Sequence, residues 1–450
     1  MSGADELALF GGAPVLSRQS HRLWPVVGDE ERAAVARVLD RGVLSGPFAP
    51  EAVALEQEFA RFVGAKHCLL THCGTSALTI ALAGAGVGPG DEVIVPAYSF
   101  VATPLSVMQV GAIPVFVDVD SATGCIDPSG VEAAITSLTR AIMPVHMHGC
   151  PADMRALNDT ARRHGLRVIE DAAQAHGATF DGRPVGALGA AGGFSLQSSK
   201  NLAAGEGGLF VTNDDAIAME AASVRNFGQD IGLAGANEYD LARPLDGTRA
   251  LESRRSGSMY RGNEMMAAFA RAQLARLAER TAACQRKAER LAHALSEFPG
   301  VTPPRTPPGA RAVHHKFPVH IDPKQAGVSL PPERLRDAVM QALRAEGLEV
   351  VLWQHAPLPA QAIFQRAAGS RRHAVGRMDD SGVGGTDLSL NYQPARYPRT
   401  KGLLDGTLML FSQSCPLIAQ PDDVVDRYAQ AFERVWRHRS ELATWSERLR

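Results

Sequence analysis

Between residues 66 and 225 the hydrophobic positions come in short β-branched runs separated by helix-length stretches, the pattern of parallel strands joined by crossover helices. KHCLLTH, DEVIVP, AIPVFVDV, RAIMPVH, LRVIED and GGLFVT read as strands, apolar on both faces as a covered sheet requires. TSALTIALAGAG, FVATPLSVMQVG, PSGVEAAITSL and DMRALNDTARRHG read as the helices between them. A long amphipathic helix is predicted over residues 263–295 and leads toward a smaller unit. The Pro-rich stretch PGVTPPRTPPGA marks the break, after which KFPVHID and LEVVLW read as strands flanking the helix PPERLRDAVMQALRAEG. The predicted organisation is an N-terminal arm over residues 1–50, a large α/β domain over 51–285 and a small α+β domain over 286–450. Residues 229–258 and 366–402 are polar, with little periodicity, and read as loops or lids.

Composition narrows the class without changing this picture. A chain of 450 residues with 45% hydrophobic and 21% charged side chains can bury a large core. The net charge of −2 provides no basic stripe for a nucleic-acid backbone. No stretch is apolar for long enough to span a bilayer, and the opening residues lack a basic segment followed by an apolar run, so a cytoplasmic protein is expected. The six cysteines show neither a CxxC pair nor a His-rich partner spacing, so no metal site is expected.

Four segments carry candidate chemistry. In GGFSLQSSKNLAAGEGGLF, Lys200 lies between an apolar strand and a glycine-rich turn with no acid beside it, a setting in which an amine loses its proton easily and attacks an aldehyde. Alone, it reads more readily as an exposed lysine near a turn. In RVIEDAAQAHG a strand ends at Asp171, followed by Gln174 and His176. A carboxylate at a strand C-terminus can hold a ring nitrogen protonated, and Gln174 can bond a ring hydroxyl. Asp171 also reads as a plain helix N-cap. In THCGTSALTIALAGAG the chain turns through Gly74 into a helix starting with Thr75 and Ser76, a phosphate-binding terminus or an ordinary cap. In VIVPAYSFVAT, Phe100 falls just beyond a strand end, where its face covers a flat ring or packs in the core.

In this order the segments resemble the DegT/DnrJ/EryC1/StrS family of pyridoxal-phosphate sugar aminotransferases, from LALFGGAPV through CGTSAL, PAYSFVAT, EDAAQAHG, FSLQSSKNLAAGEGG and RNFG to MYRGNEMMAAFARAQL. The resemblance implies the α/β architecture of fold type I, aspartate-aminotransferase-like, with a large three-layer α/β/α domain and a smaller C-terminal α+β domain. It puts the Schiff-base lysine at Lys200, the ring-nitrogen carboxylate at Asp171, the ring-hydroxyl partner at Gln174 and the stacking aromatic at Phe100. Gly74, Thr75, Ser76 and Ser195 fall on the phosphate-holding positions, and Asn263 on an asparagine that reaches the phosphate of a second subunit, which implies a homodimer. The implied reaction is amino transfer from L-glutamate or L-glutamine to a keto sugar or keto cyclitol, with pyridoxal 5′-phosphate as cofactor. Within the family the opening segments look most like cyclitol aminotransferases and aminohydroxybenzoate synthases. Relatives with histidine in place of the lysine are dehydratases, and Lys200 argues against that subgroup. A lyase or cyclising reaction would use the same lysine and aspartate, and a regulatory protein that has kept the fold is the remaining alternative. Two departures from the family pattern, the Arg-rich 229–258 segment and a SQSCPLIAQPDD segment lacking the usual histidine turn, fall where the acceptor is expected.

Overall fold

The computed structural model describes residues 6–230, 233, 252–367 and 392–448. Its first elements are the helices α1 (Asp29–Arg41) and α2 (Pro50–Val63), each closed by a glycine with positive φ, Gly42 and Gly64. Strands and helices then alternate as β1 (His67–Thr71), α3 (Gly74–Gly84), β2 (Glu92–Pro96), α4 (Ala102–Gln109), β3 (Ile113–Val117), α5 (Pro128–Ala133), β4 (Thr139–Ile142), α6 (Met154–His164) and β5 (Arg167–Asp171). A small hairpin of β6 (Thr179–Phe180) and β7 (Arg183–Pro184) precedes β8 (Ala191–Ser195), β9 (Gly208–Thr212) and α7 (Asp215–Arg225).

The large sheet has seven strands in the order β1-β9-β8-β5-β4-β2-β3. Both faces are covered, as the apolar runs require. On one face Leu70 and Ile94 join a cluster with Leu55 and Phe59 of α2 and Leu157 of α6; on the other, Leu69, Val93 and Val95 join Leu78 of α3, Val107 of α4 and Ile217 of α7. The sheet is not parallel throughout, as the strand pattern predicts, because β9 runs antiparallel to both β1 and β8. No helix intervenes between β8 and β9, so the chain cannot make the crossover a parallel pair needs. It turns back through a loop that carries Lys200.

The single helix expected over 263–295 is two, α8 (Glu264–Ala275) and α9 (Leu277–Ser296), parted at Arg276. Helix α8 packs on α1 and α2 while α9 packs farther along the chain, against α13 (Asp422–Arg437), and one straight rod cannot serve both surfaces. Beyond it come β10 (Val301–Thr302), β11 (Ala310–Arg311), β12 (Phe317–Ile321), α10 (Pro332–Ala345), β13 (Val350–Val351), α11 (Ala362–Ala367), α12 (Pro398–Gly406) and β14 (Thr407–Leu410), and after α13 the helix α14 (Arg439–Arg448). Strands β10, β12, β14 and β13 form a second sheet, whereas β11 joins β6 and β7 in a third.

Much of the two predicted loop segments, 231–232, 234–251 and 368–391, lies outside the described residues. The end of the second is not loop but the start of α12, where Pro398 occupies the first turn and Asp118 accepts hydrogen bonds from Thr400 N and Oγ1 at 2.8 and 2.6 Å. Among the described residues no helix is long and apolar enough to cross a membrane.

The N-terminal residues are seated on the C-terminal part of the chain. Leu7, Leu16 and Trp24 are buried with Phe317, Leu343, Tyr428 and Trp436. Buried Glu346 accepts hydrogen bonds from Ala8 N at 2.8 Å and Val15 N at 3.1 Å and pairs with Arg434 at 3.1 Å. Trp24 Nε1 in turn donates to the carbonyl oxygen of Lys200 at 2.9 Å, so the arm also fixes the loop between β8 and β9.

Candidate active site

Strands β1, β2, β5 and β8 run in the same direction, so their C-terminal ends lie along one edge of the large sheet. Asp171 ends β5, Ser195 ends β8, β1 leads into Gly74 and α3, and β2 leads into Phe100. A cavity of about 300 Å³ at this edge is lined by Gly74, Thr75, Phe100, Asp171, Gln174, Ser195 and Lys200. Seven of the nine residues singled out in the sequence therefore meet there. Open α/β sheets bind ligands at this edge because loops, rather than sheet hydrogen bonds, begin there.

Each side chain is held by its surroundings. Asp171, 5% exposed, accepts hydrogen bonds from Thr103 Oγ1 at 2.7 Å and from Ala173 N at 3.1 Å, and Thr103 is itself bonded to Ser99. Burial pushes its carboxyl above the ordinary range, against the opposing effect of the Thr103 hydroxyl. Gln174 Oε1 accepts from His148 N at 2.9 Å, which leaves the amide NH2 as the group available to a ligand. Lys200 follows a turn in which its own N–H bonds Gln197 O at 2.8 Å. Burial lowers the pKa of its amine to about 8, with Asp171 pulling the other way.

Gly74 opens α3 against Ser195, and a Cβ on the glycine would lie 2.7 Å from the serine Cβ. This close approach leaves the first amides of the helix and the Ser195 hydroxyl beside one another, a concave site suited to a phosphate. Phe100 is 57% exposed and lines the cavity.

Two of the nine residues are elsewhere. Ser76 lies two positions into α3, buried, with its hydroxyl 3.2 Å from His72 Nε2 and 3.3 Å from Cys73 Sγ, and it does not line the cavity. Asn263 is the exposed N-cap of α8, its side chain accepting from Met266 N at 2.9 Å, and it is not part of the cavity of its own chain.

The structure adds residues that sequence reading passes over. His315 and Lys316, at the entry to β12, line the cavity together with Trp353 and Gln413. The sequence signal is a basic HHK triplet directly before an apolar strand, easily taken for a strand flank. Tyr98 Oη is 2.8 Å from His148 Nε2, and both rings stand edge-on to Trp353. His176, three residues from the cavity wall at Ala173, is packed between Phe59 and Phe194 and held neutral by burial, its pKa lowered to about 3.

This arrangement can hold a phosphate, an aromatic ring with a protonated nitrogen, and a nucleophilic amine within one cavity. The profile of the DegT/DnrJ/EryC1/StrS aminotransferase family matches residues 25–378. An L-glutamine:scyllo-inosose aminotransferase of Streptomyces griseus is 38% identical over 445 residues, covering 96% of this chain and 97% of that protein. An L-glutamine:2-deoxy-scyllo-inosose aminotransferase of Streptomyces kanamyceticus is 35% identical, covering 98% and 99%. The solved structure of a 3-amino-5-hydroxybenzoic acid synthase superposes with a TM-score of 0.77 at 32% identity, covering 93% of this chain and 99% of that one.

Proposed function

The chain belongs to the DegT/DnrJ/EryC1/StrS aminotransferase family, and from that premise we propose that it moves an amino group from L-glutamine or L-glutamate to the ketone of a cyclitol or sugar, using pyridoxal 5′-phosphate. The observation that carries this reading is the meeting of Lys200, Asp171, Gln174, Phe100 and the Gly74–Ser195 contact in one cavity. The inosose acceptors of the relatives support a cyclitol over other ketones.

The residues present fit this cofactor. The cradle at Gly74, Thr75 and Ser195 takes the phosphate, because a missing Cβ leaves the helix amides accessible. Asp171 is a buried carboxylate whose remaining bonding capacity suits a protonated ring nitrogen. The Gln174 NH2 suits the ring oxygen, and the Phe100 ring suits the face of the heterocycle.

When bound, the cofactor supplies an aldehyde and a ring that accepts electrons from the carbon bearing the donor's amine. Lys200 Nζ would be the group that holds the aldehyde, and as a free amine it would take the proton from the donor's α-carbon. With its pKa lowered to about 8, Nζ is neutral in a useful fraction of molecules near neutral pH. Asp171 would sit against the ring nitrogen and, as a carboxylate, would favour its protonated form. Phe100 and Trp353 line the same cavity as Lys200.

The reading includes a homodimer in which Asn263 of each copy completes the phosphate grip of the other. It also includes a cytoplasmic location, supported by six cysteines that are all free. The deciding experiment loads the protein with pyridoxamine phosphate and presents keto cyclitols, keto sugars and cyclic keto acids. Return of the visible cofactor band with an inosose-type ketone is expected; no return with any ketone would reject the reading.

A further inference from the structure

Lys316 stands at the entry to β12, 5% exposed, and its Nζ has no hydrogen-bond partner among the described residues. It lines two cavities at once, the one that contains Lys200 and a narrower neighbour of about 50 Å³ bounded by Tyr98, His148, Arg305 and His314. The amine thus sits on the partition between them. An unpaired ammonium kept out of water is costly, and folds retain one mainly where a ligand supplies the counter-charge.

Among the described residues no carboxylate is bonded to this amine. The Nδ1 atoms of His315 and His148 are likewise without partners among the described residues, and burial holds both rings neutral. Burial and then the charge on Lys200 lower the amine of Lys316 to about 8. Asp171 is already engaged by Thr103 and Ala173. Glu206 also lines the larger cavity, but as an exposed residue.

On the proposed amino-transfer reading, on which this inference rests, the anions entering the site are the cofactor phosphate, the carboxylate of the donor and that of the 2-oxo acid it becomes. The phosphate has its own grip at Gly74 and Ser195, and a cyclic polyol ketone carries no charge. We infer that Lys316 recognises the α-carboxylate of the amino donor, and of the departing 2-oxo acid, through an ammonium–carboxylate pair, with the adjoining narrow cavity receiving the donor's side chain. Lys316 then discriminates between the two half-reactions: an amino acid pairs with it and a cyclitol does not.

The probe is glutaramate, which is glutamine without its amino group and cannot react. Calorimetric titration of the holoenzyme should give binding weakened by about ten- to a hundredfold in Lys316→Met and largely kept in Lys316→Arg. In the donor half-reaction, wild-type enzyme should prefer L-glutamine over 4-aminobutanamide, its analogue without the carboxylate, and Lys316→Met should lose most of that preference. The Met variant removes an unpartnered buried charge and should melt no lower than wild type, so weaker binding would not reflect unfolding. Equal glutaramate affinity in wild type and Lys316→Met, or an undiminished preference for glutamine, would overturn the inference. A wild-type protein that binds glutaramate through Lys316 yet aminates no ketone would instead overturn the amino-transfer reading.

Discussion

Gly74 and Ser195 come from neighbouring parts of the sheet edge and approach so closely that the glycine's missing side chain is a structural requirement: a Cβ there would also lie 3.1 Å from the Ser195 Cα. The serine contact involves backbone, which cannot rotate out of the way. The N-terminus of α3 and the end of β8 are therefore held at one spacing.

Gly74→Ala is expected to push α3 away from β8, at a cost of about 1–3 kcal/mol in stability. Cofactor affinity should fall more than the melting temperature suggests, because the displaced amides are those that hold the phosphate. Absorbance titration of apoprotein with pyridoxal phosphate, beside a thermal melt, measures both. Wild-type affinity in the variant would show that the contact does not shape the phosphate site.

Lys200→Ala should abolish the visible cofactor band while leaving phosphate binding, and turnover should fall by about 10²–10⁴-fold from the loss of proton transfer alone. Asp171→Ala should retain the band but lose about 10²–10³-fold in turnover, the scale of a removed electrostatic stabiliser. Spectra and single-turnover rates separate the two. Thr103→Val, which removes the hydrogen bond to Asp171, should behave as a milder Asp171→Ala.

Lys316 contributes to the pH dependence of apoprotein stability in the same direction as Lys200, whose amine is also lowered to about 8. Its amine titrates near 8 in the folded chain against an ordinary 10.5, so the folded state gives up the proton first. Below pH 8 both states are protonated and the burial penalty is fully present; between 8 and 10.5 the unfolded state binds more protons and stability rises with pH. Lys316→Met should accordingly raise apoprotein stability at pH 7 by on the order of 1–3 kcal/mol, with the gain shrinking as pH approaches 10.5. Urea melts across this range test it, and a gain that grows with pH would contradict the assignment.

If the proposed homodimer shares its sites, Asn263→Ala protein should lose cofactor more readily with its oligomeric state unchanged. Mixing it with Lys200→Ala protein should restore part of the activity, since one of the two sites in a mixed dimer keeps both residues. Absence of complementation, with mixed dimers demonstrated, would mean that each site is complete within one chain.

The features legible in the sequence are those set by local pattern. The strand before Asp171, the glycine turn after Lys200 and the turn at Gly74 each carry their signal within a dozen neighbours, and all three residues meet in the cavity. Ser76 shares the helix terminus with Gly74 and Thr75, but helical rotation turns its hydroxyl toward His72 and Cys73. The antiparallel course of β9 and the break at Arg276 depend on what those segments pack against, which no local window contains. Lys316 is hidden from a local window for the same reason: it reaches the cavity from the second sheet, and its lack of a partner among the described residues distinguishes it from an ordinary strand-flanking lysine.

The hydrogen bond from Trp24 to the Lys200 carbonyl has a consequence in time. The segment bearing Trp24 leaves the ribosome early, yet it rests on Glu346 and Arg434, which emerge near the end of synthesis. The lysine loop is completed in between and waits for both. A growing chain therefore cannot complete this support of the Lys200 loop until its two ends have met.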